Sequence, residues 1–139
     1  MKIKTAYCIL NHQLTENQKN ELMTRFGVSE IVYPSMELSE EWAQVKTTKM
    51  IDRQLIRKVI DWLGNASEGD PIVVQGEFGC TFAVVDWALN RGLIPLHAVT
   101  MRVESETYEG ETVTKHYVFK HCCFRKYECI EANIRQIFT

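Results

Sequence analysis

The sequence predicts an α/β domain: a small Rossmann-like parallel sheet flanked by helices, with a C-terminal antiparallel β-hairpin. Short apolar runs alternate with helix-like segments as far as residue 99, a pattern that calls for parallel strands joined by right-handed crossovers. From residue 100 to 125 polar and apolar residues alternate singly about Glu109-Gly110, the period of a two-stranded ribbon. The chain has 139 residues, 45% apolar and 24% charged, a size and an apolar share that suit one ordinary domain. Residues 1–139 are therefore read as a single domain with a hairpin extension over about 100–127.

Each element has its own signal. Residues 2–10 are an apolar run rich in strand formers that ends at Asn11-His12-Gln13. Thr15 and Gln18 stand at capping-box spacing and start a helix over 15–26, with Leu22, Met23 and Phe26 turned inward and Gly27 supplying the left-handed stop. Residues 30–33 are a second strand closed by Pro34, and residues 39–44 a helical turn anchored by Trp42. Over 48–63, Ile51, Leu55, Ile56, Val59, Ile60 and Leu63 recur at spacings of three and four, an amphipathic helix that packs on a sheet. Residues 72–75 form a buried central strand running into Gly76-Glu77-Phe78-Gly79-Cys80-Thr81. The helix over 81–90 is apolar on nearly every side and requires cover on two of them. Residues 93–99 are the fourth strand.

With Glu109 and Gly110 as a two-residue turn, Glu104 opposes Lys115, Arg102 opposes Tyr117, Thr100 opposes Phe119 and Ala98 opposes His121. Thr100, Arg102 and His121 then share one face of the ribbon, and a slip of one residue would part them.

Composition excludes several classes. No apolar stretch reaches the roughly 20 residues of a membrane span and the first residues lack a signal-peptide core, so a cytoplasmic protein without a membrane partner is expected. The five cysteines include no CxxC pair, which leaves neither a disulfide framework nor a zinc site, and no Asp, Glu and His cluster at metal-ligand spacing. No metal and no cofactor are expected. The net charge of −2 is unevenly spread: Lys115, Lys120, Arg125 and Lys126 give residues 113–127 a charge of +4, leaving −6 on the remainder. A general duplex DNA binder would be basic overall, whereas a cationic ribbon on an acidic body suits a small anion held at one mouth.

Open α/β sheets take ligands at the carboxyl ends of their strands. Asn11 and His12 follow the first strand there, Gln75, Gly76, Glu77, Phe78, Gly79 and Thr81 follow the central one, and Thr100 and Arg102 follow the fourth. The Gly-x-x-Gly segment is either a phosphate cradle at a helix start or only the tight turn that the fold needs. His12 and His121 are the proton-transfer candidates, because an ordinary imidazole titrates near neutral pH. His97 reads as a core residue and His116 as solvated. Tyr117, Phe119, Phe124 and Tyr127 either stack on bases or pack in the core. Arg125 suits a phosphate through its bidentate guanidinium. Metal-free cleavage is open to RNA, whose 2′-hydroxyl is an internal nucleophile beside phosphorus.

Four stretches carry a resemblance: Asn-His-x-Leu-Thr-x-x-Gln at 11–18, Gln-Gly-x-Phe-Gly-x-Thr at 75–81, Gly-Leu-Ile-Pro-Leu-x-Ala-x-Thr-x-Arg at 92–102 and Phe-Lys-His-x-x-Phe-Arg-x-Tyr at 119–127. Together they resemble the small CRISPR-associated accessory proteins of the Csx class from type III systems, stand-alone versions of the CRISPR-associated Rossmann-fold sensor domain. The resemblance implies binding of cyclic oligoadenylate and ring-opening cleavage that switches the signal off; related ring nucleases act without metal, as homodimers, on cyclic tetra-adenylate. On that basis residues 76–81 and Arg102 are expected to hold the ligand's phosphates, Asn11 or Gln75 its adenine or ribose, with Thr100 also expected to bind the ligand. Lys120 and Arg125 are expected to stabilise the phosphorane, and His12 or His121 to protonate the leaving 5′-oxygen. The rival readings are a non-catalytic sensor or sponge for the same ring, and an interaction module whose basic hairpin binds nucleic acid or protein.

Overall fold

In the computed structural model, which describes residues 3–130, the chain runs β1 (Thr5–Ile9), α1 (Glu16–Phe26), β2 (Glu30–Val32), α2 (Met36–Ala43), α3 (Arg53–Leu63), β3 (Pro71–Val74), α4 (Phe78–Asn90), β4 (Ile94–Glu109) and β5 (Thr112–Lys126). Residues 1, 2 and 131–139, the start of the expected first strand among them, lie outside the described residues. The strands form one sheet in the order β2-β1-β3-β4-β5, with β1 parallel to β2 and β3, β3 parallel to β4, and β5 antiparallel to β4. This is the mixed α/β architecture that the alternation predicts.

Strand alternation divides the interior into two cores. Tyr7, Ile9, Ile72 and Val74 face α2, α3 and α4 and pack with Trp42, Leu55, Val59, Leu63, Val84 and Ala88. Ala6, Cys8, Val73, Leu96 and Phe124 face the other way, onto Leu22 and Phe26 of α1. The chain leaves β1 in one direction to make β2 and returns on the other side to make β3. That reversal opens a crevice at the carboxyl ends of β1 and β3.

The expected caps are present. Thr15 Oγ1 accepts from Gln18 N at 3.3 Å while Gln18 Oε1 accepts from Thr15 N at 3.0 Å, and Gly27 takes φ 69° to end α1. Other boundaries move for physical reasons. α3 begins at Arg53 rather than near 48, because Asp52 Oδ1 accepts from Leu55 N and caps it there; Ile51 is left exposed. α4 begins at Phe78 rather than 81, because Glu77 caps it. Around Trp42 there is a full eight-residue helix instead of a turn. Met23 of α1 is exposed, and the buried positions there are Gln18, Leu22 and Phe26. α4 has cover on one side only: Cys80, Val84, Val85 and Ala88 are buried, but Phe78 is 91% and Phe82 75% exposed.

The fourth strand and the first half of the hairpin are one continuous strand, β4. Its turn falls at Gly110 and Glu111, since Glu109 pairs with Thr112. Gly110 has φ 60°, the positive value that the first position of a two-residue hairpin turn requires, and this sets the turn one residue later than expected. Partners shift by two: Glu104 opposes Tyr117, Arg102 opposes Phe119 and Thr100 opposes His121. An even shift keeps every side chain on its face, so Thr100, Arg102 and His121 do share one. Both expected side-chain pairs form as diagonals, with Lys115 Nζ 3.4 Å from Glu104 Oε1 and the Arg102 guanidinium 4.7 Å from the Tyr117 ring centre. Between Val99 and Thr100 the ladder jumps from Cys123 to His121, making Cys122 the extra residue of a β-bulge and giving Ala98 the partner Phe124 in place of His121.

Candidate functional site

The carboxyl ends of β1 and β2 open into a cleft of about 400 Å³ lined by Asn11, His12, Tyr33, Pro34, Met36 and Ser39, among others. Asn11 and His12 are both exposed. His12 Nδ1 is 2.8 Å from the Gln13 carbonyl oxygen. With Nδ1–H donating there, the ring is oriented and Nε2 is left to a ligand. Tyr33 is held by donation from Leu14 N to its hydroxyl at 3.2 Å, which ties the β1–α1 loop to the start of the β2–α2 connection.

At the end of β3, Gln75 belongs to the scaffold. Its backbone N–H donates to Ile9 O at 3.1 Å, its carbonyl accepts from Trp42 Nε1 at 2.9 Å, and its side-chain Oε1 accepts from Ala98 N at 2.8 Å. One residue thus bridges β1, α2 and β4. Gly76 follows for a steric reason: a Cβ there would stand 2.5 Å from Trp42 Nε1. The requirement for glycine comes from the indole beneath.

The start of α4 already holds an anion. Glu77 Oε1 accepts from Gly79 N at 2.7 Å and Oε2 from Cys80 N at 3.1 Å, and these bonds lower the Glu77 pKa against a small opposing effect of burial. A phosphate reaching those amides has to displace the carboxylate. Gly79 is close-packed as well, since a Cβ would meet Ile51 Cγ2 at 2.9 Å. Phe78 presents its ring to solvent beside this cap. The Thr81 hydroxyl is buried without a hydrogen-bond partner.

The four expected catalytic groups do not converge. His121 lies on the α1 side of the sheet with its side chain 6% exposed; its Nε2 is 2.7 Å from Glu21 Oε1, its Nδ1 3.5 Å from Gln18 Nε2, and its ring 4.7 Å from that of Phe124. Both ring nitrogens face protein groups. Lys120 opposes Met101 and Arg125 opposes His97, which puts both cations on the other side of the ribbon. His12 stands apart from all three, in the cleft. Thr100 and Arg102 are exposed at the base of the ribbon.

Further residues gather at the strand ends. His97, expected in the core, is only partly buried, and its ring centre is 4.7 Å from that of Tyr127. Burial, and then the positive Arg125 opposite, hold its pKa below the usual histidine range against a bond at Ala98. Tyr127 O–H donates to Val74 O at 2.9 Å, fixing the end of β5 over the end of β3. The α2–α3 loop brings Lys46 and Lys49 to a small cavity of about 180 Å³ that Glu77 also lines. A second cationic segment therefore borders the strand ends. Among the described residues no three His, Cys, Asp or Glu side chains gather at metal-holding distance, and no helix is long and apolar enough to cross a membrane.

Over residues 4–125 the chain matches the family described as "Uncharacterized protein MJ1673 family". It is 30% identical over 122 residues to "Uncharacterized protein MJ1673" of Methanocaldococcus jannaschii, a match covering 87% of this chain and 95% of that protein. The matched span takes in the strand-end loops, the bulge and the ribbon as far as Arg125.

Proposed function

This chain belongs to the MJ1673 family, and from that premise we propose that it is a ring nuclease of type III CRISPR signalling, cytoplasmic and homodimeric, acting on cyclic oligoadenylate of tetra-adenylate size. One observation carries the reading: an exposed histidine, His12, beside a 400 Å³ cleft at the carboxyl ends of β1 and β2, next to the chain reversal where open α/β sheets take nucleotides. The resemblance of residues 11–18, 75–81, 92–102 and 119–127 to Csx-class proteins supplies the ligand class.

In this proposal Asn11, whose amide has no scaffold duty comparable to that of Gln75, reads adenine or ribose. Arg125 and the loop residues Lys46 and Lys49 neutralise phosphates. The ribose 2′-oxygen attacks phosphorus as its hydroxyl proton passes to water, the P–O5′ bond breaks, and His12, doubly protonated with Nδ1–H still on the Gln13 carbonyl, gives its Nε2 proton to the departing 5′-oxygen. Products are linear with a 2′,3′-cyclic phosphate, and no metal enters the step. His121 acts in the fold rather than the chemistry.

Incubation of the protein with radiolabelled cyclic tetra-adenylate in EDTA is expected to give linear product, and His12→Ala to bind the ring while leaving it closed. A ring that is bound and never opened by the parent protein would instead establish a sensor or sponge. The Glu77 carboxylate seated on the α4 amides and the engagement of His121 favour that second reading, since they leave fewer groups for chemistry. No preference for cyclic over linear oligoadenylate would remove both.

A further inference from the structure

We infer that the α1-facing side of the β4–β5 ribbon is a second binding site, for a single-stranded oligonucleotide, built from exposed rings on the ribbon and a groove between α1 and β5. Leu96, Ala98 and Phe124 pack toward α1, and strand alternation carries Arg102, Glu104, Tyr117, Phe119 and His121 to the same side. Phe124 fills the core, but Phe119 is 68% and Tyr117 49% exposed. Phe119 stands directly opposite Arg102, whose guanidinium lies 4.7 Å from the centre of the Tyr117 ring. Phe119 therefore offers an exposed ring face to a base, and Arg102, seated on Tyr117, a cation to the phosphate that follows it.

Two residues along β5, the same side opens into a groove of about 610 Å³ beside the bulge, lined in part by Asn17, Asn20, Glu21, Arg25 and His121. Asn17 and Asn20 stand three apart on α1, both exposed, and neither side-chain amide has a partner among the described residues. Each amide carries donors and an acceptor, the groups that read the edge of an unpaired base. The charge of Glu21 is taken up by His121 and Arg25, and Arg25 keeps 48% of its side chain exposed.

The make-up of the surface selects its occupant. Val113, toward the tip, is the one aliphatic side chain on this side of the free ribbon, too little for the apolar centre of a protein interface. Rings, a guanidinium and amides suit bases and phosphates instead. β5 carries no acidic residue. Glu104 and Glu106 lie on β4 toward the tip, where Glu104 pairs with Lys115 and Glu106 accepts from the Tyr108 hydroxyl. They confine a polyanion to the base of the ribbon and the groove. Pairing would hide the ring faces and edges of the bases, so the occupant is single-stranded. The groove and the His12 cleft share no residue.

Fluorescence anisotropy at low salt is the test, with labelled oligouridylate and oligodeoxythymidylate of about ten nucleotides and a duplex of the same length. These bases keep the proposed adenine site from contributing. The parent protein is expected to bind the single strands about tenfold or more tighter than the duplex, and the tighter of the two tells whether RNA or DNA is taken. Phe119→Leu, apolar without a ring, should weaken binding about five- to a hundredfold, the loss of one stacked base, while Phe119→Tyr retains it. Arg102→Gln should reduce the slope of log K against log salt by about 0.7, one phosphate of a single strand. No binding of either single strand would overturn the inference and leave the surface to a protein. A duplex bound as tightly as the single strands, or Phe119→Leu binding like the parent, would overturn it too. None of these measurements involves the ring or His12, so ring cleavage stands or falls separately.

Discussion

Glu21 Oε1 lies 2.7 Å from His121 Nε2, across 100 residues of chain, and the same carboxylate accepts the Phe124 amide at 3.0 Å and, through Oε2, Arg25 Nη1 at 2.7 Å. Arg25 Nη1 also donates to Phe124 O at 2.6 Å. This cluster seats α1 on β5 just where the Cys122 bulge breaks the ladder. Glu21→Gln is expected to lower stability by about 2–4 kcal/mol, because it leaves a partly buried imidazole and guanidinium short of their acceptor. Chemical denaturation measures it, and a cycle with His121→Ala should show that the two losses are not additive.

The same group sets an acid limit. Burial alone would raise the Glu21 pKa, but the bond from Phe124, then those from His121 and Arg25, outweigh it and lower the net value. A lowered folded pKa means that the unfolded chain binds the proton first. The stabilisation is therefore complete above the ordinary carboxylate range and lost as pH falls through that range toward the folded value. Stability curves of the parent and Glu21→Gln should accordingly converge as pH drops from about 6 to about 3; parallel curves would show that Glu21 is not the group responsible.

Gly76→Ala drives a methyl group into Trp42, 2.5 Å from Nε1, and threatens the indole N–H bond to the Gln75 carbonyl. A loss of about 1–3 kcal/mol is expected, with a shift in tryptophan fluorescence in the folded state. An unchanged melting temperature would mean that the indole moves aside freely.

Glu77→Ala removes the α4 cap and is expected to cost about 1 kcal/mol. It also frees the Gly79 and Cys80 amides and deletes a negative charge at the strand ends. If phosphates of the proposed ligand seat there, affinity for cyclic tetra-adenylate rises; titration calorimetry showing weaker binding would assign Glu77 itself to ligand contact.

Thiol labelling separates the cysteines. Burial pushes Cys8 up to about 12, and burial with the Glu77 carboxylate pushes Cys80 to about 12, whereas Cys122 is exposed on its bulge. Alkylation near pH 8 followed by mass spectrometry is expected to modify Cys122 in the native protein, and Cys8 and Cys80 only after unfolding.

Periodicity in the sequence was enough to fix the class of fold, since apolar spacing of two against three and four reports which face of each element is buried before any tertiary contact exists. The capping box at Thr15 and the stop at Gly27 were legible for the same reason: their chemistry spans only a few neighbouring residues. The boundaries of α3 and α4 also had local causes, in Asp52 and Glu77, but an acidic residue before a helix reads equally well as cap, catalyst or solvated charge. The hairpin register depended on which residue of a three-residue stretch took the positive φ, and that placed the turn one position later while preserving the faces.

The role of each polar side chain was decided only by packing. Gln75 became a three-way brace and Gly76 a seat for Trp42 because α2, 33 residues away, folds back beneath them. His121, chosen from sequence as a proton carrier, is instead held by Glu21 and Gln18, because α1 crosses the sheet edge at the bulge. His12 keeps its exposure because its loop lies beyond the strand ends. A side chain's chemistry is local, but whether its hydrogen-bonding groups remain open to a ligand depends on residues distant in sequence, and the fold alone brings those together.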